Sequence, residues 1–183
     1  MSKPITLPEP MLRDATAGLR PWREADIPVV VAMSHDPDVL RFTNVPDAYG
    51  EDDAGIWLAL QPARLRAGDG AAFAIVEPPD DRPLGAIGVR VLHGRGIAEI
   101  GYHLAPEARG RGLATAALRL LSAWSLRTLP VARLQLTTHL ANPASQRVAE
   151  KAGYTREAVL RAWADQRGTR VDLIMYSLLR GEV

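Results

Sequence analysis

Through the middle of the chain, apolar residues alternate with polar or small ones in short runs. Residues 71–77 (AAFAIVE), 84–93 (LGAIGVRVLH) and 97–104 (IAEIGYHL) each keep the period of two that marks a strand. The links PPDDRP and HGRG are short and rich in Pro and Gly, so these strands should join as antiparallel hairpins. From about 110 to 128 the period becomes helical, with Leu113, Ala117, Leu120, Leu121 and Trp124 on one stripe. Residues 132–140 (ARLQLTTHL) return to a strand. Strand, helix, strand is a crossover unit, so the strands at 97–104 and 132–140 should run parallel. Asn142, Pro143 and Gly153 carry the cap, first-turn and stop signals of a short helix. Residues 155–161 and 170–179 read as a closing hairpin around ADQRGT.

Upstream, 18–22 (GLRPW) reads as a short strand closed by Pro21. Residues 24–33 place Ile27, Val30 and Val31 at i, i+3 and i+4, a helical face. Asp36 and Pro37 open a further helix, and 51–66 form a longer one with Ile56, Leu60 and Leu65 on its apolar side. Residues 1–17 read as a flexible arm. The expectation is one mixed α/β (α+β) domain over 18–183, with a central, mostly antiparallel sheet of six to seven strands flanked by helices.

Composition removes several classes of function. Among 183 residues the net charge is +1, which gives no global pull toward nucleic acid or an anionic membrane. No Cys is present, which excludes disulfides, thiolate metal ligands and a cysteine nucleophile. The four histidines, His35, His93, His103 and His139, lie on separate segments without metal-site spacing, so no metal is expected. No apolar run approaches the ~18 residues of a membrane span. The N-terminus carries Pro and charges where a signal peptide needs an apolar core, and the expected location is cytoplasmic.

One local feature works against its own element. The helix at 110–128 opens with Arg109-Gly110-Arg111-Gly112-Leu113-Ala114, although glycine costs about 1 kcal/mol against alanine in a helix. Helix N-termini expose unpaired N–H groups with partial positive charge, and glycine leaves them unshielded. The loop therefore suits a phosphate, with the arginines adding charge. It lacks the Gly-Lys-Ser/Thr of a Walker loop and the spacing of a dinucleotide fingerprint.

The order strand, R-x-x-G-x-A, amphipathic helix, strand, Asn-x-x-Ser resembles the GNAT superfamily of acyl-CoA-dependent N-acyltransferases, and within it the ribosomal-protein-alanine (RimJ/RimL) branch. The phrases carrying the resemblance are LRPWREAD, AEIGY, LAPEARGRGLATAALRLL, NPASQRVAEKAGY and DLIMYSLL, from Leu19 to Arg180. It implies acetyl-CoA as acyl donor, a sheet whose central strands splay, and a pyrophosphate held by the backbone of Arg109, Gly110, Arg111, Gly112, Leu113 and Ala114. The pantetheine arm would pair with backbone of Tyr102, His103 and Leu104, where a strand N–H would also polarise the thioester carbonyl. Asn142 would reach the pantetheine amides. Ser145 would contact the sulfur and return a proton to the thiolate, because the tyrosine many relatives use one turn later is Ala149 here. Glu99 would be the general base, directly or through water, with Thr137 in place of a second carboxylate.

The bland readings stay beside these: Asn142 as a helix cap, Ser145 as helix surface, Glu99 as a solvent-facing strand carboxylate. His139 could orient substrate and His103 could shape the acceptor site. Trp22, Trp57, Trp124 and Trp163 read mostly as core. Trp57 and Phe42 would belong to one wall of an acceptor groove, with Trp163, Arg167 and Arg170 in a loop on the other. The reaction implied is transfer of acetyl to an amine, foremost an N-terminal α-amine of a protein or peptide, by direct attack in a ternary complex. A small amine such as an antibiotic or polyamine, succinyl-CoA as donor, and a CoA-binding module without chemistry are the alternatives. Relatives of this kind often form homodimers.

Overall fold

The alternating segments all join one sheet. The computed structural model describes residues 3–182 and orders eight strands β1-β2-β3-β4-β5-β6-β8-β7. They are β1 (Leu12–Arg13), β2 (Gly18–Arg20), β3 (Gly70–Val76), β4 (Gly85–Leu92), β5 (Ile97–Leu104), β6 (Arg133–His139), β7 (Thr155–Gln166) and β8 (Thr169–Leu179). The helices are α1 (Ile27–Ser34), α2 (Pro37–Phe42), α3 (Glu51–Ala67), α4 (Leu113–Thr128) and α5 (Pro143–Lys151). Every neighbouring pair is antiparallel except β5 with β6, which α4 joins as a crossover.

One sheet face carries Phe73, Ile75, Ile87, Val89, Ala98, Ile100, Leu134, Leu136, Ile174 and Tyr176 into a core with α4. Leu113, Leu118 and Leu121 are fully buried there, and Phe73 meets Trp124 edge-on at 5.8 Å. Each such leucine contributes roughly 1.5–3 kcal/mol by leaving water. The opposite face carries small residues, Ala72, Ala74 and Ala86, under α1 and α3, where Trp22 and Trp57 pack edge-on at 5.7 Å.

The structure departs from the sequence reading in three places. The stretch 1–17 is anchored rather than free over its described part: Ile5 is buried and donates to the Leu65 carbonyl, and Leu12–Arg13 form β1, which takes the sheet beyond the expected six to seven strands. The hairpin at the C-terminal end has no six-residue loop. Arg167 and Gly168 make a two-residue turn with φ of 53° and 78°, the backbone of a type I′ hairpin, so ADQ and Thr169 belong to strands. Within β7 the register slips between Leu160 and Ala164, and Ala162 takes φ 48°. Trp163 then stands 60% exposed rather than in the core.

Candidate active site

The ladder between β5 and β6 has only three paired positions, ending at Glu99 with Gln135. Beyond them β5 pairs only with β4, and β6 only with β8, so a gap opens between the two central strands. Ala132 donates to the Gly96 carbonyl across the β6 side, and Ala105 donates to Leu84 across the β4 side. Alternation along the strand then turns the backbone groups of Tyr102 and Leu104 into the gap and those of His103 toward β4. Tyr102 and Leu104 thus stand where an extended amide chain could pair. His103 does not, which corrects its expected backbone role.

The loop below the gap ends in glycines for a conformational reason. Gly110 and Gly112 have φ of 75° and 83°, left-handed values that other residues rarely take. Where a Cβ would sit on Gly110 nothing lies within 4 Å, and on Gly112 only Thr16 Cγ2 at 3.9 Å, so the space before the backbone is open. No side chain caps α4. The amides of Gly110, Arg111, Gly112, Leu113, Ala114 and Thr115 have no hydrogen-bond partner among the described residues. That is the donor set a pyrophosphate needs.

The arginines behave otherwise than expected. Arg109 donates its own amide to Pro106. Its guanidinium pairs with Asp36, with Asp38 at 2.8 Å and with the Leu104 carbonyl at 3.1 Å, tying the start of α2 to the end of β5. Arg111 pairs with Glu77. Both charges are already matched, so the loop's capacity for an anion resides in its amides.

The catalytic candidates fall on opposite faces of the sheet. Glu99 shares its face with Arg90, Gly88 and Gly101, and it is ion-paired with Arg90. It sits at the last rung before the gap. Tyr102 shares the core face with Ala98 and Ile100, and its hydroxyl lies 3.0 Å from Ser145 Oγ. Asn142 Oδ1 accepts from the Ser145 amide at 3.0 Å, so its capping reading holds, while its NH2 group stays available as a donor. An acyl carbon placed in the gap would have a carboxylate on one side and hydroxyls on the other. Tyr102's side chain was missed as a site group. A tyrosine on a core-facing strand position needs a hydroxyl partner, and that signal was present in the alternation.

On the Glu99 face, His139 Nδ1 accepts from the Ala141 amide at 3.0 Å, and its ring tilts against Phe42 at 5.5 Å. Arg167 is not free to attract substrate: it holds the Leu40 and Val45 carbonyls and Asp47, fastening the β7–β8 turn to the α2 wall. Arg170 reaches the Trp163 carbonyl. A cavity of about 510 Å³ lies between α1, α3 and β3, lined by Trp22, Leu58 and Ala72 among others, on this same face. Among the described residues no group of three or more His, Cys, Asp or Glu is placed to hold a metal, and no helix is long and apolar enough to cross a membrane.

His103 also points to this face, half-buried beside Asp36 and Arg109. Burial lowers its pKa from 6.5 to about 4; Asp36 raises it and Arg109 lowers it further. The folded protein therefore holds His103 neutral while the unfolded chain protonates below 6.5. Its stabilising contribution, up to about 3 kcal/mol, is complete above 6.5 and lost as pH falls toward 4. Urea titrations across that window should show this slope in the native protein and a flatter one in His103→Gln.

The chain matches the model of the acetyltransferase (GNAT) domain over residues 17–155. It is 25% identical over 165 residues to the uncharacterised N-acetyltransferase p20 of Bacillus licheniformis, covering 90% of this chain and 93% of that protein. Among solved structures it superposes on RimL, a ribosomal L7/L12 α-N-protein acetyltransferase bound to coenzyme A, with a TM-score of 0.83 and 18% identity, covering 92% and 97% of the two chains. Mycobacterium smegmatis RimJ in complex with CoA-disulfide gives 0.82 and 21% identity, covering 94% and 87%. At these identities the two structures speak for the fold.

Proposed function

Since the chain belongs to the GNAT acetyltransferase family, we propose that it transfers an acetyl group from acetyl-CoA to the α-amine of a protein or peptide N-terminus. The observation that carries the reading is the run of six unpartnered amides, Gly110 to Thr115, placed beneath a gap that only β5 and β6 border. Those amides would hold the pyrophosphate. Tyr102 and Leu104 would pair with the pantetheine, and Asn142 would donate to one of its carbonyls. Acetyl-CoA supplies a thioester activated toward amines.

Glu99 takes the proton released by the attacking amine, directly or through one water. Its bond to Arg90 holds it at the groove floor. An α-amine has a pKa near 7.7–8.0, so part of it is already free at neutral pH and a modest base suffices. Ser145 faces the departing sulfur from the other side. For the acceptor, the carboxylates of the floor and of the α2 wall matter: Glu99 pairs with Arg90, Asp47 with Arg167, and Asp36 and Asp38 share Arg109. The floor and the α2 wall thus offer little unmatched negative charge to a polyamine, whereas a peptide N-terminus brings a single charge. The same reading places the protein in the cytoplasm.

Mass spectrometry after incubation with acetyl-CoA and a panel of N-terminal peptides, polyamines and aminoglycosides tests this, with succinyl-CoA run beside it. Acetylated peptide α-amines are expected. Modification of small amines alone would reassign the acceptor. A bound donor with every amine untouched would leave a CoA-binding module without chemistry. With an acceptor in hand, Glu99→Gln should lower kcat about a hundredfold and leave the thermal stabilisation by acetyl-CoA unchanged.

A further inference from the structure

We infer that the Tyr102 hydroxyl orients the hydroxyl of Ser145 toward the departing sulfur, which makes Tyr102 a positioning residue for acetyl transfer; this rests on the function proposed above. Tyr102 Oη lies 3.0 Å from Ser145 Oγ and 3.1 Å from the Ser145 carbonyl oxygen. The two residues are 43 positions apart, one on β5 past its last rung with β6 and the other in the first turn of α5. The bond therefore spans the gap from one wall to the other.

A serine hydroxyl has one proton and three staggered positions. Among the described residues, Tyr102 is the one side chain that bonds to Ser145 Oγ. A phenol also has one proton, and here two acceptors are within its reach. When Tyr102 donates to the Ser145 carbonyl, the Oγ proton turns back to the phenol oxygen. When Tyr102 donates to Oγ, the Oγ proton is released to point into the gap. The pair can re-aim its protons in this way without breaking an O–H bond.

In the transfer, the amine lone pair forms the N–C bond and the C–S bond breaks with its electron pair on sulfur. The amine proton passes to Glu99 or water, and sulfur finally takes a proton from solvent. Tyr102 does not supply that last proton. Burial raises its phenol to about 12, the Ser145 bond lowering it and Tyr176 raising it. Giving the proton to a thiolate of ordinary pKa ~8.5 would be uphill by roughly a thousandfold. What Tyr102 gives is a hydrogen bond to Oγ, which leaves Oγ–H aimed at the sulfur and makes it a better donor.

Tyr102→Phe keeps the ring and removes the hydroxyl. Its kcat should fall about tenfold, the factor that about 1.4 kcal/mol of transition-state stabilisation supplies. KM for acetyl-CoA and the thermal shift on adding acetyl-CoA should stay at native values. In a Ser145→Ala background the same substitution should cost nothing further, because its route runs through Oγ. Native kcat in Tyr102→Phe overturns the inference. So do additive losses in the double variant, or a weakened thermal shift that accounts for the loss. If the native protein acetylates no amine, the proposed function itself fails. The comparison then moves to acceptor-free release of CoA thiol from acetyl-CoA, where equal rates, or no release at all, reject the role of Tyr102 as well.

Discussion

Replacing Gly112 with Asp is expected to abolish acetyl-CoA binding while the domain stays folded. Gly112 has φ +83°, and a Cβ there meets only Thr16 Cγ2 at 3.9 Å. Asp is among the residues that enter the left-handed region at least cost, about 1–2 kcal/mol. A carboxylate at the start of α4 recovers roughly 0.3–1 kcal/mol from the helix dipole. The melting temperature without ligand should therefore fall by no more than several degrees. The same carboxylate would stand before the amides of Gly112 to Thr115, and a pyrophosphate approaching them would meet like charge, which costs several kcal/mol. A loss in affinity of more than about a hundredfold follows, equivalent to ~2.7 kcal/mol. Thermal unfolding with acetyl-CoA reads it directly. At about 100 times its dissociation constant the donor stabilises the native protein by ~2.7 kcal/mol, a rise of roughly 2–4 °C or more for each kcal/mol. The variant should show no rise. A native-sized rise in Gly112→Asp would mean that the donor binds elsewhere.

The features legible in the sequence were those carried by local period and local chemistry. The alternation at 71–77, 84–93 and 97–104 gave three strands within a residue or two, and the apolar stripe from Leu113 to Trp124 gave α4 and its buried face. The glycines of the loop were legible because they are poor helix formers placed at a helix start. What stayed hidden was set by partners far along the chain. Arg109 reads as a phosphate ligand until Asp36, 73 residues earlier, is found against it. Arg167 reads as a substrate contact until the carbonyls of Leu40 and Val45 claim it. No pattern around either arginine encodes its partner, because an ion pair requires only that two surfaces meet. The β7–β8 turn was hidden differently: Arg-Gly is an unusual pair for a type I′ turn, and the bulge at Ala162 breaks the alternation that would have extended the strand.

A pair of this hidden kind supports the second large effect: Asp26→Asn should destabilise the domain by about 3 kcal/mol. Arg20 and Asp26 are 3% and 8% exposed at their side chains, and they meet through two bonds of 2.7 and 2.9 Å. The remaining guanidinium donors reach the Asp81 and Pro21 carbonyls, Nε also meets the Asp81 carboxylate at 2.9 Å, and Asp26 also accepts from the Arg23 amide. Asn keeps the shape but removes the buried counter-charge, leaving Arg20 only the half-exposed Asp81 carboxylate at 2.9 Å. For a domain of this size the melting temperature should drop by on the order of 10 °C. Replacing both residues with Leu should be milder than Asp26→Asn, because no charge is then stranded. Burial alone would raise the Asp26 carboxyl. The Arg20 bonds and the Arg23 amide outweigh it and hold the carboxyl below its ordinary 3.8. Its contribution is therefore complete above that value and lost as pH falls below it, and the Asn variant should lack this part of the acid transition. The pair locks the end of β2 to the turn that begins α1, one side of the groove on the Glu99 face. At a temperature where Asp26→Asn is still folded, KM for the acceptor should rise while the thermal shift with acetyl-CoA persists, since the donor amides lie across the sheet on α4. A donor shift lost together with acceptor binding would show instead that the two halves of the site depend on one framework.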